Sequence, residues 1–477
     1  MNAAESALVK FNLQVKEGET VLLTGQSGCG KTTVIRGING LIPHFFAGRL
    51  QGTIRVAEMD VESTPIQQLA RKVGSVFQDP RSQFFTLDVM TELAFPGENF
   101  GLSGAVIRDN MMTVINDLEL YDIVDRRLCN LSNGEKQKVA IASVYTVASA
   151  IFVLDEPSSN LDGKGIAKLQ KVLAQLKSKG YTIIISEHRF HYLAGLADRV
   201  VCMAEGKVHS EWLSNAFFSK SSCWFEQMGL RMASPQELSP SPVSRSKADG
   251  KPVVMARDIC FSYNPSRQIL TDISLTACAG EIIGIVGQNG VGKSSLVKVL
   301  LGLKKQTKGT VYLNNRRCTV AQRLTQSFYC LQEADYQLFA ASVDEEMLLG
   351  LYLGDRVRQK AANLLCFFGL DKYRDCHPAT LSGGQKQRLT IALSCMRNTG
   401  PLYFDEPTSG LDGGNMRLVS SLIRNLADEG RCVFVISHDY EFMLQTVNKV
   451  IHLTGRGQTE VFDLNEQTAD KLWSILE

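Results

Sequence analysis

Two glycine-rich runs in this chain have the types and spacing to hold phosphate. Gly25-Gln-Ser-Gly-Cys-Gly-Lys31-Thr32 and Gly287-Gln-Asn-Gly-Val-Gly-Lys293-Ser294 both fit G-x-x-x-x-G-K-[ST]. Gly25, Gly28 and Gly30, and Gly287, Gly290 and Gly292, let successive backbone N–H groups turn inward around an anion. The helical pattern after each run would present its N-terminus to the same anion. Lys31 and Lys293 add a point charge for β- and γ-phosphates. The hydroxyls of Thr32 and Ser294 suit Mg2+, and Thr33 and Ser295 complete the expected phosphate-binding set.

Two acid pairs have the right company. Asp155-Glu156 and Asp405-Glu406 close the apolar runs Ile151–Leu154 and Pro401–Phe404. In a parallel sheet that end of a strand faces the ligand crevice. Asp155 and Asp405 suit Mg2+ ligation through water. Glu156 and Glu406 suit a general base that polarises an attacking water, an effect worth about 10²–10⁴ in rate. Alone, such acids would read as solvated strand ends. Spaced after a phosphate loop, they read as chemistry.

The elements that must position these residues occur twice. GETVLLTGQSGCGKTT at 18–33 returns as GEIIGIVGQNGVGKSS at 280–295, an offset of 262. LSNGEKQKVAIA at 131–142 returns at 381–392, and YTIIISEH at 181–188 at 431–438, both at an offset of 250. The first copy therefore carries twelve extra residues between its phosphate loop and the second motif. A period this long is a duplicated domain rather than a solenoid. Each copy alternates β-branched runs with helical segments, the α/β pattern of a largely parallel sheet. The expected division is a first domain at 1–232, a flexible Pro/Ser-rich linker at 233–252 and a second domain at 253–477. The stretch before the linker, with Trp212, Phe217, Phe218, Trp224 and Phe225, is too aromatic for free linker and is expected to pack on the first domain.

Composition sets the outer bounds. With 477 residues, 44% hydrophobic and 21% charged, the chain is neither disordered, collagenous nor a coiled coil. A net charge of +2 argues against a dedicated polyanion binder. The 12 cysteines form no C-x-x-C pair, which speaks against a zinc knuckle and fits a reducing cytosol. The N-terminus shows no secretory pattern. The longest uncharged apolar run, Val139–Leu154, is shorter than the roughly 18–20 residues of a span and reads as a buried helix followed by a buried strand. His44, His191, His209, His377 and His452 have no motif context and read as surface or core imidazoles.

With these motifs in place, nearly the whole chain resembles the ABC ATPase family. Leu131-Ser-Asn-Gly-Glu135 and Leu381-Ser-Gly-Gly-Gln385 are similar to the ABC signature, and Ser159-Asn-Leu-Asp162 and Ser409-Gly-Leu-Asp412 to its D-loop. Gln78 and Gln332 occupy Q-loop positions, and His188 and His438 switch-histidine positions. The resemblance implies two tandem P-loop nucleotide-binding domains, each with a RecA-like core sheet and a helical subdomain. It implies two ATP molecules between them, with Mg2+ held by Thr32, Gln78 and Asp155 and by Ser294, Gln332 and Asp405. Glu156 with His188, and Glu406 with His438, would be catalytic. Ser132 and Gly134, or Ser382, Gly383, Gly384 and Gln385, would reach nucleotide on the partner domain from the start of a helix.

The copies differ. Asn133 and Glu135 replace the Gly and Gln of the regular signature, and the added carboxylate is expected to weaken anion binding. The resemblance implies an adenine platform ahead of each phosphate loop, with Tyr263 the candidate in the second copy; its counterpart in the first falls at Met1, so that platform is expected to be truncated, misassigned or replaced. Both sites are expected to hydrolyse ATP, unequally. The glutamine doublets Gln78/Gln83 and Gln332/Gln337, with Ser186-Glu-His-Arg189, look like the ATPases of energy-coupling-factor importers. That likeness implies uptake of a vitamin or transition-metal ion and a peripheral place on the cytoplasmic face of the membrane. It implies as partners an integral transmembrane coupling protein and a small membrane substrate-binding protein, with no nucleic acid. A sugar-importer ATPase, or a non-transport ABC protein acting on ribosome or nucleic acid, are the rival readings.

Overall fold

The computed structural model describes residues 7–147, 149–241, 250–264, 267–352, 354–397, 400–454 and 459–476. The chain divides into two units, Met1–Ser234 with Asp412–Gly414, and Pro235–Leu411 with Asn415–Glu477.

The first unit is built on a six-stranded sheet. In spatial order its strands are Val73–Val76, Ile151–Asp155, Thr182–Ser186, Thr20–Gly25, Arg199–Ala204 and Lys207–Leu213. The first five run parallel and the last is antiparallel. Thr20–Gly25 is buried at every position, as a central parallel strand covered on both faces must be. Helices Val89–Asn99, Gly104–Asp117 and Asn133–Tyr145 form a subdomain inserted between the edge strand and Ile151–Asp155. The long uncharged run thus resolves into the end of one helix and the start of a strand. Beyond Leu213, helices Ser214–Phe218 and Ser222–Gln227 fold back onto the unit. Phe217 and Phe225 are fully buried against Phe190, with ring centroids 5.3 and 6.0 Å away.

The second unit repeats the sheet as Phe328–Cys330, Leu402–Asp405, Val433–Ile436, Ile282–Val286, Lys449–Leu453 and Thr459–Asp463, again with only the last strand antiparallel. Along Ile282–Val286 the strand period places Ile282 and Val286 in one apolar core and Ile283 and Ile285 in the other. This unit adds a feature the sequence reading did not contain. Arg267–Cys278, Pro252–Asn264, Lys308–Leu313 and Arg316–Arg317 form a four-stranded antiparallel sheet. Among the described residues of the first unit its counterpart is the two-stranded pair Arg55–Val56 and Met59–Asp60.

Candidate functional site

The strand order gathers the motifs. In the first unit, four adjacent strands end in Gln78, Asp155-Glu156, the Ser186–His188 segment and the Gly25 loop. The second unit sets Gln332, Asp405-Glu406, His438 and the Gly287 loop side by side in the same way. Neighbouring strands lie about 4.8 Å apart, so groups distant in sequence face one crevice.

The phosphate loops have the same backbone in both copies. φ is +150°, +82° and +103° at Gly25, Gly28 and Gly30, and +143°, +81° and +114° at Gly287, Gly290 and Gly292. Helices Lys31–Ile38 and Lys293–Leu301 begin with no side-chain cap, so their first N–H groups are not closed off by one. Lys31 Nζ donates to the carbonyls of Gly25 at 2.9 Å and Gln26 at 3.2 Å. Lys293 Nζ makes the matching bonds to Gly287 and Gln288 at 2.7 and 3.2 Å. A Cβ at Gly28 or Gly290 would meet no atom within 4 Å, so the cradle is open where an anion would lie. The loops fit a polyphosphate.

Beside each lysine sit oxygen donors. Thr32 Oγ1 lies 3.4 Å from Asp155 Oδ1, and Ser186 Oγ also donates to that oxygen. In the second unit Tyr329 Oη donates to Asp405 Oδ2 at 2.7 Å. Burial pushes Asp155 above the usual carboxylate range, and the Glu156 charge adds to it; bonds from Ser186 and Thr32 and the Lys31 charge oppose it. Burial raises Asp405 in the same direction. Among the described residues no three His, Cys, Asp or Glu side chains cluster as a metal cage. Mg2+ commonly takes one or two carboxylates plus substrate phosphates instead, and Asp155 with Thr32 supplies that kind of hard oxygen set.

The glutamates sit in a strained turn. Glu156 and Glu406 have φ of +45° and +48°, a left-handed backbone uncommon outside glycine. The same departure in both copies aims each carboxylate at the next strand's end. Glu156 Oε1 lies 3.2 Å from His188 Nε2, and Gln78 Nε2 donates to Glu156 Oε2 at 2.8 Å. Burial would raise Glu156, but the His188 ring and the Lys31 charge hold it below its ordinary range. In the second unit His438 Nε2 is 3.9 Å from Glu406 Oε1, and Ser437 Oγ donates to Glu406 Oε2 at 3.3 Å. Gln78, expected on the metal, therefore has its amide on the glutamate.

Several residues at the site had no expected catalytic or binding role. Glu187, 2% exposed, accepts from Ser158 N at 2.9 Å, Tyr192 Oη at 2.9 Å and His188 N at 3.1 Å. Arg189 donates to the carbonyls of Ser158 and Leu161 at 2.6 and 3.3 Å. The two flanks of His188 thus clamp the loop that follows Glu156. The second glutamines have a structural task. Gln83 bonds Phe77 N and Ser75 O at 3.2 and 3.1 Å, and Gln337 bonds Leu331 N and Tyr329 O at 3.1 and 2.8 Å. Buried Glu92 and Glu346 then close the following turns through the N–H groups of Phe85 and Thr86 and of Phe339 and Ala340. Phe85 and Phe339 are left 74% exposed at the tips. The five-residue repeat of Gln was the available signal for the brace. Glu187 stood in the sequence only as part of the Ser186-Glu-His-Arg189 likeness, which gave no sign of its brace.

Ser132 and Ser382 begin helices Asn133–Tyr145 and Gly383–Met396, each in a capping box with the residue three positions on. Ser132 donates from both N and Oγ to Glu135 Oε2 at 2.8 Å, while Ser382 N donates to Gln385 Oε1 at 2.8 Å. Burial acts to raise Glu135, but the Ser132 bonds and Arg126, 3.7 Å away, pull it below the usual range. The first signature hydroxyl is thus engaged by its own carboxylate. Ser132→Ala and Ser382→Ala are each expected to lower stability by about 0.5–2 kcal/mol, read by denaturant unfolding. Tyr263, half exposed, has its Oη 3.4 Å from Ser295 Oγ beside the phosphate loop, where a base could stack. Met1, its counterpart, lies outside the described residues.

Fold and site together define a pair of P-loop nucleotide-hydrolysing cassettes on one chain. The chain matches the ABC transporter family model over residues 8–159 and 270–409 and belongs to that family, as a tandem ATP-binding protein that hydrolyses ATP. A Treponema denticola ABC transporter ATP-binding protein is 40% identical over 97% of this chain and 95% of its own length. A Methanosarcina acetivorans protein of the same description is 31% identical over 94% of this chain and 81% of its own. Among solved structures, a model of ribosome-bound archaeal Pelota and ABCE1 has a TM-score of 0.71 at 23% identity, covering 98% of this chain and 78% of that one. The RNase-L inhibitor gives 0.62 at 22%, covering 98% and 90%.

These likenesses correct two expectations. The integral transmembrane coupling protein and small membrane substrate-binding protein, with nucleic acid excluded, were drawn from short stretches around the Q-loops. A solved tandem chain whose match covers 98% of this chain is described as ribosome-bound, so the tandem fold is not one reserved for membrane partners. The peripheral place on the cytoplasmic face of a membrane falls with them. Among the described residues no helix is long and apolar enough to cross a membrane.

Proposed function

We propose that the chain couples ATP turnover in its two cassettes to movement of a macromolecular partner held by the loops after Gln78 and Gln332. The observation that carries this is the matched pair of turns, each pinned by a second glutamine and a buried glutamate, that hold Phe85 and Phe339 outward beside the Gln that touches, in the first unit, the Glu156 carboxylate. In this reading Glu156 and Glu406 polarise the attacking water, and His188 and His438 orient them. Thr32 with Asp155, and Ser294 with Asp405, would hold Mg2+. That ion, when bound, neutralises charge on the β- and γ-phosphates. Lys31 and Lys293 bind the same phosphates, and Tyr263 stacks the base in the second unit. The domain limits 1–232 and 253–477 with a linker at 233–252 form part of the same reading.

Two kinds of work suit such a device. Solute uptake of the energy-coupling-factor type, for a vitamin or a transition-metal ion, is supported by the curated relatives named as ABC transporter ATP-binding proteins and by the glutamine doublets. Action on the ribosome or another nucleic-acid assembly is supported by whole-chain likeness to a fold described as ribosome-bound, and that likeness spans more of the chain than the doublets do. One comparison separates them. Cells lacking the chain are complemented with wild type or with Glu156→Gln/Glu406→Gln. Labelled vitamin and cobalt or nickel uptake is measured, and lysates are sedimented with ATP. Uptake lost only with the double variant supports the first kind of work. Unchanged uptake with the double variant on ribosomal subunits supports the second. Unchanged uptake together with no ATP-dependent sedimentation of the double variant overturns the coupling proposal.

A further inference from the structure

Asp155 and Asp405 each end a strand that has a neighbour on either side, and each receives a hydroxyl bond from one neighbour. In the first unit the donor is Ser186, directly in register with Asp155 on Thr182–Ser186. In the second unit the residue in register with Asp405 is Ile436, which has no hydroxyl. There the donor comes from the opposite side. Tyr329 lies on Phe328–Cys330, in register with Tyr403, two residues before Asp405. Two strand residues rise about 6.6 Å, a distance a phenol spans and a serine side chain does not. The first unit has Ser75 at that position, in register with Val153. The chain thus pairs a short hydroxyl opposite the acid with a small residue below it, or a long phenol below with an aliphatic residue opposite.

A neutral donor is the useful kind here. It fixes the rotamer of a carboxylate without cancelling the charge the carboxylate must keep for a cation. We propose that Ser186 and Tyr329 are equivalent positioning residues, each setting its own cassette's aspartate toward the Thr32 or Ser294 hydroxyl from opposite sides of the strand. The inference rests on the reading of Asp155 and Asp405 as Mg2+ holders. It makes the two cassettes separately tunable, because no residue type is shared between the two supports.

The test uses the full chain with Lys31→Ala, so that nucleotide binding reports the second cassette. ATP affinity is measured by titration calorimetry with and without Mg2+, and thermal unfolding is recorded alongside. Tyr329→Phe is expected to reduce the Mg2+-dependent gain in ATP affinity about tenfold or more, with Mg2+-free affinity and thermal midpoint unchanged. Adding Ile436→Ser to Tyr329→Phe moves the hydroxyl to the other neighbour, as in the first unit, and is expected to restore most of the gain. An unchanged gain in Tyr329→Phe overturns the inference. So does equal loss of affinity with and without Mg2+, or failure of Ile436→Ser to restore anything. Asp405→Asn separates the two levels. If it leaves the gain intact, the reading of Asp405 as the Mg2+ holder fails. If it abolishes the gain while Tyr329→Phe does not lower it, only the positioning role fails.

Discussion

Replacing Glu156 and Glu406 together by Gln is expected to lower steady-state ATP turnover by about 10²–10⁴-fold while ATP still binds. The substitution keeps the shape of the side chain and its capacity to meet Gln78 and the histidines, and removes the charge that would polarise water. Each single variant is expected to lose part of the activity. The losses should be unequal, since Glu156 lies 3.2 Å from its histidine and Glu406 3.9 Å from its own. Phosphate release measured on all three variants, with ATP binding measured separately, gives the answer. Full turnover in either single variant would mean that its cassette does not contribute to hydrolysis, and loss of binding would mean that the glutamate is needed for more than the chemical step.

Two alanine substitutions in one loop are expected to fail for different reasons. Gly25 has φ +150°, and a Cβ there would sit 2.3 Å from the Met203 carbonyl oxygen. That conformation is essentially restricted to glycine and the obstacle is backbone, so Gly25→Ala should destabilise the first unit by about 3–5 kcal/mol. Gly28 has φ +82° and open space around the same position, so Gly28→Ala should cost about 1–2 kcal/mol. If the open space beside it is where phosphate lies, the added methyl group lowers ATP affinity more than stability. Thermal unfolding without nucleotide, set against ATP affinity, reads both. Equal behaviour of the two variants would refute the picture of a loop with one wall of backbone and one open cradle.

The parts legible in the sequence were those in which residue type alone fixes the chemistry. Six loop glycines, two lysines and two Asp-Glu pairs, each following an apolar run, specify strand ends and an anion site without knowledge of the fold. What stayed hidden depended on which strands become neighbours. Ser186 and Tyr329 reach an aspartate only because of register, and Tyr329 lies 76 residues from Asp405. Gln78 is placed on the metal by analogy of position, and its bond through Nε2 to Glu156, 78 residues away, was not foreseen. The antiparallel sheet of the second unit escaped for a local reason. Its two long strands pair with repeated register shifts, and Asp258 and Asp272 adopt φ of +51° and +50°, so the alternation that marks a strand is broken where it would have been counted.

The place of Thr20–Gly25 in the sheet has a consequence for how the protein is made. This strand precedes both of its neighbours, Thr182–Ser186 and Arg199–Ala204, by more than 150 residues in the order of synthesis. Until those residues have left the exit tunnel, the phosphate loop has no wall on either side. A nascent chain therefore carries its nucleotide motif for most of the synthesis of the first unit without a site to show for it. Closure of the long loops between these strands makes folding of that centre late and cooperative. The same order of events repeats when Ile282–Val286 waits for Val433–Ile436 and Lys449–Leu453.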